Sequence, residues 1–404
     1  MGIVLLPALC ALLVTLASAE FFVDEEGGLQ RLLPNQTLCT QFLQPAGYPC
    51  TEYTIQTDDG YVLALQRVAS RHGESKRPMG HPVLLLHGLF MGGDAWFLNS
   101  PEQSLGFILA DEGFDVWVAN FRGTFWSGGH VSLSQKDKEF WDWSWQDLAE
   151  FDFAKMLQFI YSSTGSKVLV VGHSQGTIIS LAALTQQRTS QLIYAAAFLC
   201  PISYLNHVSA PLVRRMVDVH LDQLVLSMGF HHLNFRSEIL VNLLVSMCER
   251  EIGCSDLLTS ITGKNCCFNN SRVNYYLEYE PHPSSVKNLR HLFQMIRKGT
   301  FAKYDYGLLS NLVVYGQPRA PPFDLSRIPK TVPLWMAYGG HDSLSDVTDV
   351  EMLLKELSGK PQVLYIEDYG HVDFIVSTRG KEDVYKHLVL FFRSLLPYST
   401  TIIL

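Results

Sequence analysis

Charge is sparse in this chain. Only 17% of its 404 residues are Asp, Glu, Lys or Arg, the formal net charge is −8, and lysines and arginines form no block. Without a basic patch the surface does not attract polyanions, which argues against nucleic acid or an anionic membrane surface as partner. After residue 19 no stretch reaches the ~18 uncharged apolar residues that a membrane span needs. Paired Cys-x-x-Cys spacing is absent too, so a zinc site built from cysteines is disfavoured, and neither a metal nor an organic cofactor is called for. There is no internal repeat and no low-complexity tract.

The first residues also lack the usual Lys or Arg, yet Val4–Ala17 is an apolar core and Ala17-Ser18-Ala19 precedes Glu20. That pattern predicts a signal peptide over residues 1–19 and entry to the secretory route. Disulfides are then expected. Cys10 leaves with the leader, and seven cysteines stay. Cys39 and Cys50 bracket a short Pro/Gly-containing segment and can pair. Cys200, in an apolar run, reads as a buried free thiol. Adjacent Cys266 and Cys267 are expected not to pair with each other, leaving bonds from them to Cys248 and Cys254, or only one such bond, in an order the sequence does not give. Asn35 and Asn269 open glycosylation sequons.

What is there is organised around residues 168–180. Val168–Val171 reads as a strand buried on both faces. Gly172-His173-Ser174-Gln175-Gly176 follows, and Thr177 onward suits a helix. In that context Gly-x-Ser-x-Gly is a nucleophile elbow, whose strained turn lifts the serine hydroxyl clear of the sheet. Ser174 is the candidate nucleophile.

A hydroxyl at neutral pH needs a base, and the base needs a group to orient it. In parallel sheets such groups lie beyond the carboxyl ends of strands. Asp342 follows the expected strand Leu334–Tyr338, and His371 follows the expected strand Val363–Ile366. The order Ser174, Asp342, His371 is that of the α/β-hydrolase triad. Rivals for the acid are Asp346, Asp368 and Asp373; rivals for the base are His173 and His341. The expected oxyanion donors are the backbone N–H groups of Gln175 and Leu89, with Phe90 as the alternative to Leu89.

Elsewhere Thr51–Thr57 and Tyr61–Val68 form a hairpin around Asp58-Asp59-Gly60. Val83–Leu86, Phe114–Ala119 and Ala195–Leu199 read as strands. Helices are expected at Leu105–Ala110, from a capping box at Ser144 to Phe159, near Val350–Leu357 and over Tyr385–Leu395. Trp141, Trp143 and Trp145 read as core packing at a helix start. Between Asn206 and Leu325 the alternation of strand and helix stops, and amphipathic stretches such as Leu221–Met228 and Ile239–Met247 replace it. The expectation is an α/β fold: a mostly parallel sheet covered by helices, built from 20–205 and 326–404, with a mainly helical insertion at 206–325.

His87-Gly88-Leu89, Asn120-Phe121-Arg122-Gly123, the run Phe140–Asp147, the elbow, Gly339-Gly340-His341-Asp342 and Tyr369–Phe374 together resemble the acid lipase family. That family includes gastric and lysosomal acid lipases, and the similarity, strongest toward its plant triacylglycerol lipases, spans about Leu38 to Leu396. The resemblance implies a lipid ester as substrate, taken at a lipid–water interface by a secreted or vacuolar enzyme. It also implies catalysis by Ser174, Asp342 and His371, oxyanion amides on Leu89 and Gln175, and a cap with a lid at 206–325. A sterol-ester hydrolase or acyltransferase would use the same residues. A silent fold used only for binding would be expected to lack one of the five positions, and all are present.

Overall fold

The computed structural model describes residues 36–71, 80–235 and 254–396. The expected leader, the Asn35 sequon, Cys248 and the expected helix Ile239–Met247 lie outside the described residues.

Among the described residues one nine-stranded sheet forms, eight of its strands lying on a single path: β1 Cys50–Gln56, β2 Tyr61–Val68, β3 Pro82–Leu86, β4 Asp115–Ala119, β5 Val168–His173, β6 Ile193–Leu199, β7 Leu334–Gly339 and β8 Gln362–Ile366. Their spatial order is β1-β2-β4-β3-β5-β6-β7-β8, and a two-residue strand Gly129–His130 pairs with β2. The β1–β2 and β2–β4 pairs are antiparallel, and every later pair is parallel. The aliphatic runs explain the two-sided burial. Leu84, Leu86, Val168 and Val170 enter one core, while Val83, Leu85, Leu169 and Val171 enter the core on the opposite face. A strand covered on both sides needs no polar alternation, and β3, β4 and β5 have none.

Helices α1 Leu105–Asp111, α2 Ala154–Thr164 and α3 Gln175–Leu184 connect the central strands. The capping box forms: the Ser144 N–H donates to the Asp147 carboxylate at 2.8 Å. A π-helical stretch, Leu148–Phe153, then leads into α2. That helix passes the expected end at Phe159 and stops at Thr164, where Gly165 takes φ 67°. The left-handed residue satisfies a terminal carbonyl at no steric cost, a signal the apolar periodicity does not carry. Trp141, Trp143 and Trp145 are buried as expected, with Trp145 stacked on His291 at 4.3 Å.

Between β6 and β7 the described chain is mainly helical: α4 Pro211–Asp218, α5 Leu221–Ser227, α6 Cys254–Thr262, α7 Val273–Tyr279, α8 Val286–Lys298 and α9 Leu308–Tyr315. After β7 come α10 Val347–Glu356, the short α11 Asp373–Val376 and α12 Lys386–Leu395.

Cys39 and Cys50 are bonded, and Cys200 is a buried free thiol. The expectation for the cysteine doublet is corrected, because Cys266 and Cys267 are bonded to each other. The Asp373 carboxylate accepts the N–H groups of both residues, at 2.9 and 3.1 Å, and so turns two successive peptides toward one acceptor. That acceptor lies far along the chain, so local sequence rules could not supply it.

Asn120-Phe121-Arg122-Gly123 turns out to be architectural. Arg122 is buried, donates to Asp152 through Nε at 2.8 Å and to Asp59 through Nη1 at 2.6 Å, and covers the Tyr61 ring at 3.7 Å. It ties the β1–β2 turn to the π-helical stretch. Removing one member of a buried charge pair leaves the other unpaired at a cost of about 3–5 kcal/mol. Arg122→Met is therefore expected to lower the unfolding free energy by about that amount in urea titrations.

Candidate active site

Ser174 stands between β5 and α3 with φ 53° and ψ −118°. That backbone is strained for a residue with a Cβ, and it is the elbow geometry expected of the motif. The flanking glycines allow it. A Cβ on Gly176 would lie 2.4 Å from the Leu86 carbonyl oxygen, and one on Gly172 would lie 2.9 Å from the Gly176 carbonyl group. Strand, turn and helix approach too closely for any other residue at either position.

The three expected side chains converge. His371 Nε2 lies 2.8 Å from Ser174 Oγ, and His371 Nδ1 lies 2.8 Å from Asp342 Oδ2. The other Asp342 oxygen accepts the N–H groups of Leu344 and Ser345, both at 2.8 Å. All three residues are buried. Burial opposes charge on Asp342, but the His371 ring and the two backbone donors outweigh it and hold the carboxyl below its ordinary value. A carboxylate that stays ionised can fix the imidazole with its proton on Nδ1, leaving Nε2 to accept from the serine hydroxyl.

The rivals have other occupations. His341 and Asp368 are exposed. Asp346 caps α10 by accepting the Thr348 N–H at 2.8 Å. Asp373 accepts the Gly370 N–H at 2.8 Å as well as those of the cysteine pair. His173 is fully buried, and desolvation, helped by the neighbouring His371, pushes its pKa down to about 3. It is a neutral ring whose Nε2–H donates to the His371 carbonyl at 3.1 Å. The Cys200 thiol reaches the same carbonyl at 3.3 Å. Sequence reasoning missed both as supports for His371. The one available signal was that each falls at the carboxyl end of a central strand.

The loop after β3 lies against the elbow, since a Cβ on Gly88 would be 3.2 Å from Ser174 Cβ. Neither Leu89 N–H nor Gln175 N–H donates to an acceptor among the described residues. Phe90, the alternative donor, has φ 58°. Two buried histidines hold this loop. His87 accepts the Phe121 N–H on Nε2 at 3.2 Å and donates from Nδ1 to the Gly88 carbonyl at 2.9 Å; burial lowers its pKa to about 4. His282 donates its backbone N–H to the Phe90 carbonyl at 2.7 Å, and its Nε2 faces Asp94 at 3.0 Å. Glu280 accepts the Gly92 N–H at 3.2 Å. Sequence reasoning singled out neither Glu280 nor His282, which come from the segment between β6 and β7 and meet the loop only in the fold.

Three clusters among the described residues bring ligand-type atoms within 4.8 Å: Cys200, Asp342 and His371; Asp94, Glu280 and His282; and Cys266, Cys267 and Asp373. In the first, both ring nitrogens of His371 already face Ser174 and Asp342. In the third, the sulfurs are bonded to each other.

A serine elbow at the end of β5, with an acid after β7 and a histidine after β8, defines an α/β-hydrolase. Comparison with known proteins agrees. The chain matches the family model for the alpha/beta hydrolase fold over residues 81–378 and that for a partial alpha/beta-hydrolase lipase region over residues 39–100. It is 62% identical to triacylglycerol lipase 1 of Arabidopsis thaliana over 91% of this chain and 93% of that protein. Human gastric triacylglycerol lipase is 33% identical over 94% of this chain and 98% of its own. Among solved structures, a soluble variant of the Saccharomyces cerevisiae monoglyceride lipase shares the fold with TM-score 0.54 at 14% identity, covering 86% of this chain and 97% of that one. The chain belongs to the acid lipase family of α/β-hydrolases.

The depressed Asp342 pKa has a consequence for stability. A carboxyl whose folded value lies below its unfolded one stabilises the fold above the unfolded value, and loses that contribution as pH falls through the folded value. Urea midpoints of the wild type should therefore fall on acidification below about pH 4, and those of Asp342→Asn should fall less steeply.

Proposed function

We propose that this protein hydrolyses carboxylic esters of lipids, triacylglycerols foremost, through an acyl-enzyme on Ser174. The observation that carries the reading is the His371 imidazole, within 2.8 Å of both the Ser174 hydroxyl and the Asp342 carboxylate. His371 takes the hydroxyl proton as Ser174 Oγ attacks the ester carbonyl. Asp342 keeps the ring oriented and stabilises its charged form. The N–H groups of Leu89 and Gln175 donate to the developing oxyanion. His371 then gives its proton to the departing alcohol, and in the second half activates the water that releases the fatty acid. Relatives named triacylglycerol lipase support the substrate class.

Segment 206–325 is read as a cap over this site. The Thr262 carbonyl accepts the His371 N–H at 3.2 Å, and Asn288 donates to the Gln175 side chain at 2.8 Å. Both contacts join the insertion to residues of the proposed mechanism, His371 at its main chain and Gln175 at its side chain. Entry to the secretory route is supported by the pattern at 1–19 and by the Cys39–Cys50 bond, with Asn35 and Asn269 as glycan acceptors.

A fluorophosphonate probe should label the wild type and leave Ser174→Ala unlabelled; equal labelling would remove Ser174 from the mechanism. Asp342→Asn should lower kcat on triolein by about 10⁴, because the amide presents the wrong partner to the ring. Wild-type protein that cleaves neither triolein nor a dissolved short-chain ester would end the reading.

A further inference from the structure

Helix α9, Leu308–Tyr315, is built inside out. Its polar side faces the protein: Asn311 is 1% exposed, its amide donates to Asp305 at 2.7 Å and to the Pro318 carbonyl at 3.1 Å, and its oxygen accepts the Tyr306 N–H at 3.0 Å. The Tyr315 hydroxyl donates to the Tyr304 carbonyl at 2.9 Å. The aliphatic side faces outward, with Leu308 61%, Leu309 75%, Leu312 45% and Val313 86% exposed. At 3.6 residues per turn these four side chains share one arc of about 140°. Val314, also exposed, stands apart from this arc, beyond the exposed Ser310. No Asp, Glu, Lys, Arg or His occurs from Tyr306 through Pro318.

An ordinary surface helix turns its aliphatic stripe toward the core. Here polar anchors fix the opposite orientation, so the exposed stripe is specified by the fold. We propose that α9 is a docking patch that inserts into a lipid–water surface, an inference that rests on the lipid-ester reading above.

The size and composition of the patch select that occupant. A helix of this length spans about 12 Å, far short of the ~800 Å² per partner that a stable protein pair buries. The outward arc is wholly aliphatic, without the Trp or Arg that anchors protein interfaces. A lipid surface demands no matching shape and accepts a small convex apolar face. The uncharged stretch enters without stripping water from any ion, and Tyr306 and Tyr315 stand at the two ends, where amphipathic rings suit the headgroup level.

The test compares wild type, the double variant Leu309→Ser/Val313→Ser, and Val313→Trp by co-sedimentation with vesicles of diether phosphatidylcholine, which contain no ester to cleave. Hydrolysis of dissolved p-nitrophenyl butyrate reports the fold and the chemistry separately. Partition onto vesicles should fall at least tenfold in the double variant and rise in Val313→Trp, while the dissolved ester is cleaved within twofold of wild type by both. Equal partition of all three proteins would overturn the proposal. So would a wild-type dimer in sedimentation velocity that the double substitution makes monomeric, since the face would then belong to a second copy. Failure to cleave any ester would sink the functional reading, whereas the vesicle measurement reads the patch alone.

Discussion

The close approach of α3 to the end of β3 is the constraint from which the rest of the site follows. Gly176 packs so near the Leu86 carbonyl that no side chain fits between them, and this contact fixes where the helix begins. With strand and helix both pinned, Ser174 takes φ 53° between them. The strain is local, while the force that holds it is distributed through two hydrophobic cores on opposite faces of the sheet.

Buried polar groups around the site serve to hold backbone in place. His173 and Cys200 both grip the His371 carbonyl, and His87 and His282 both grip the loop that carries Leu89. Burial disfavours the charged imidazole, so His87 and His173 stay neutral, and each ring can donate from one nitrogen without leaving a charge in the core. His371 is thus held at its side chain by Asp342 and at its main chain by two uncharged donors. Rigid placement of this kind is what the proposed acyl transfer requires of Ser174 and His371.

The segment between β6 and β7 takes part in that placement. Thr262 contacts the His371 main chain, Glu280 and His282 reach the loop after β3, and Asn288 reaches Gln175. The site is therefore assembled from both the sheet and the segment that interrupts it. Asp373 extends the same coupling, since one carboxylate holds the Gly370 turn beside His371 and the Cys266-Cys267 doublet.

The sequence by itself determined the sheet, the elbow and the identity of three converging side chains. Those features are written locally: aliphatic runs for strands covered on both faces, glycines where backbone must pass close, and an acid and a histidine just past strand ends. Tertiary structure alone decided which polar residues are supports, that Arg122 is architectural, that adjacent cysteines bond, and that α9 turns its leucines outward. Each of these depends on a partner far along the chain, such as Asp373 for Cys266 and Cys267 or Asp152 for Arg122. Local pattern records which surface a residue prefers; only the assembled fold determines which distant group meets it there.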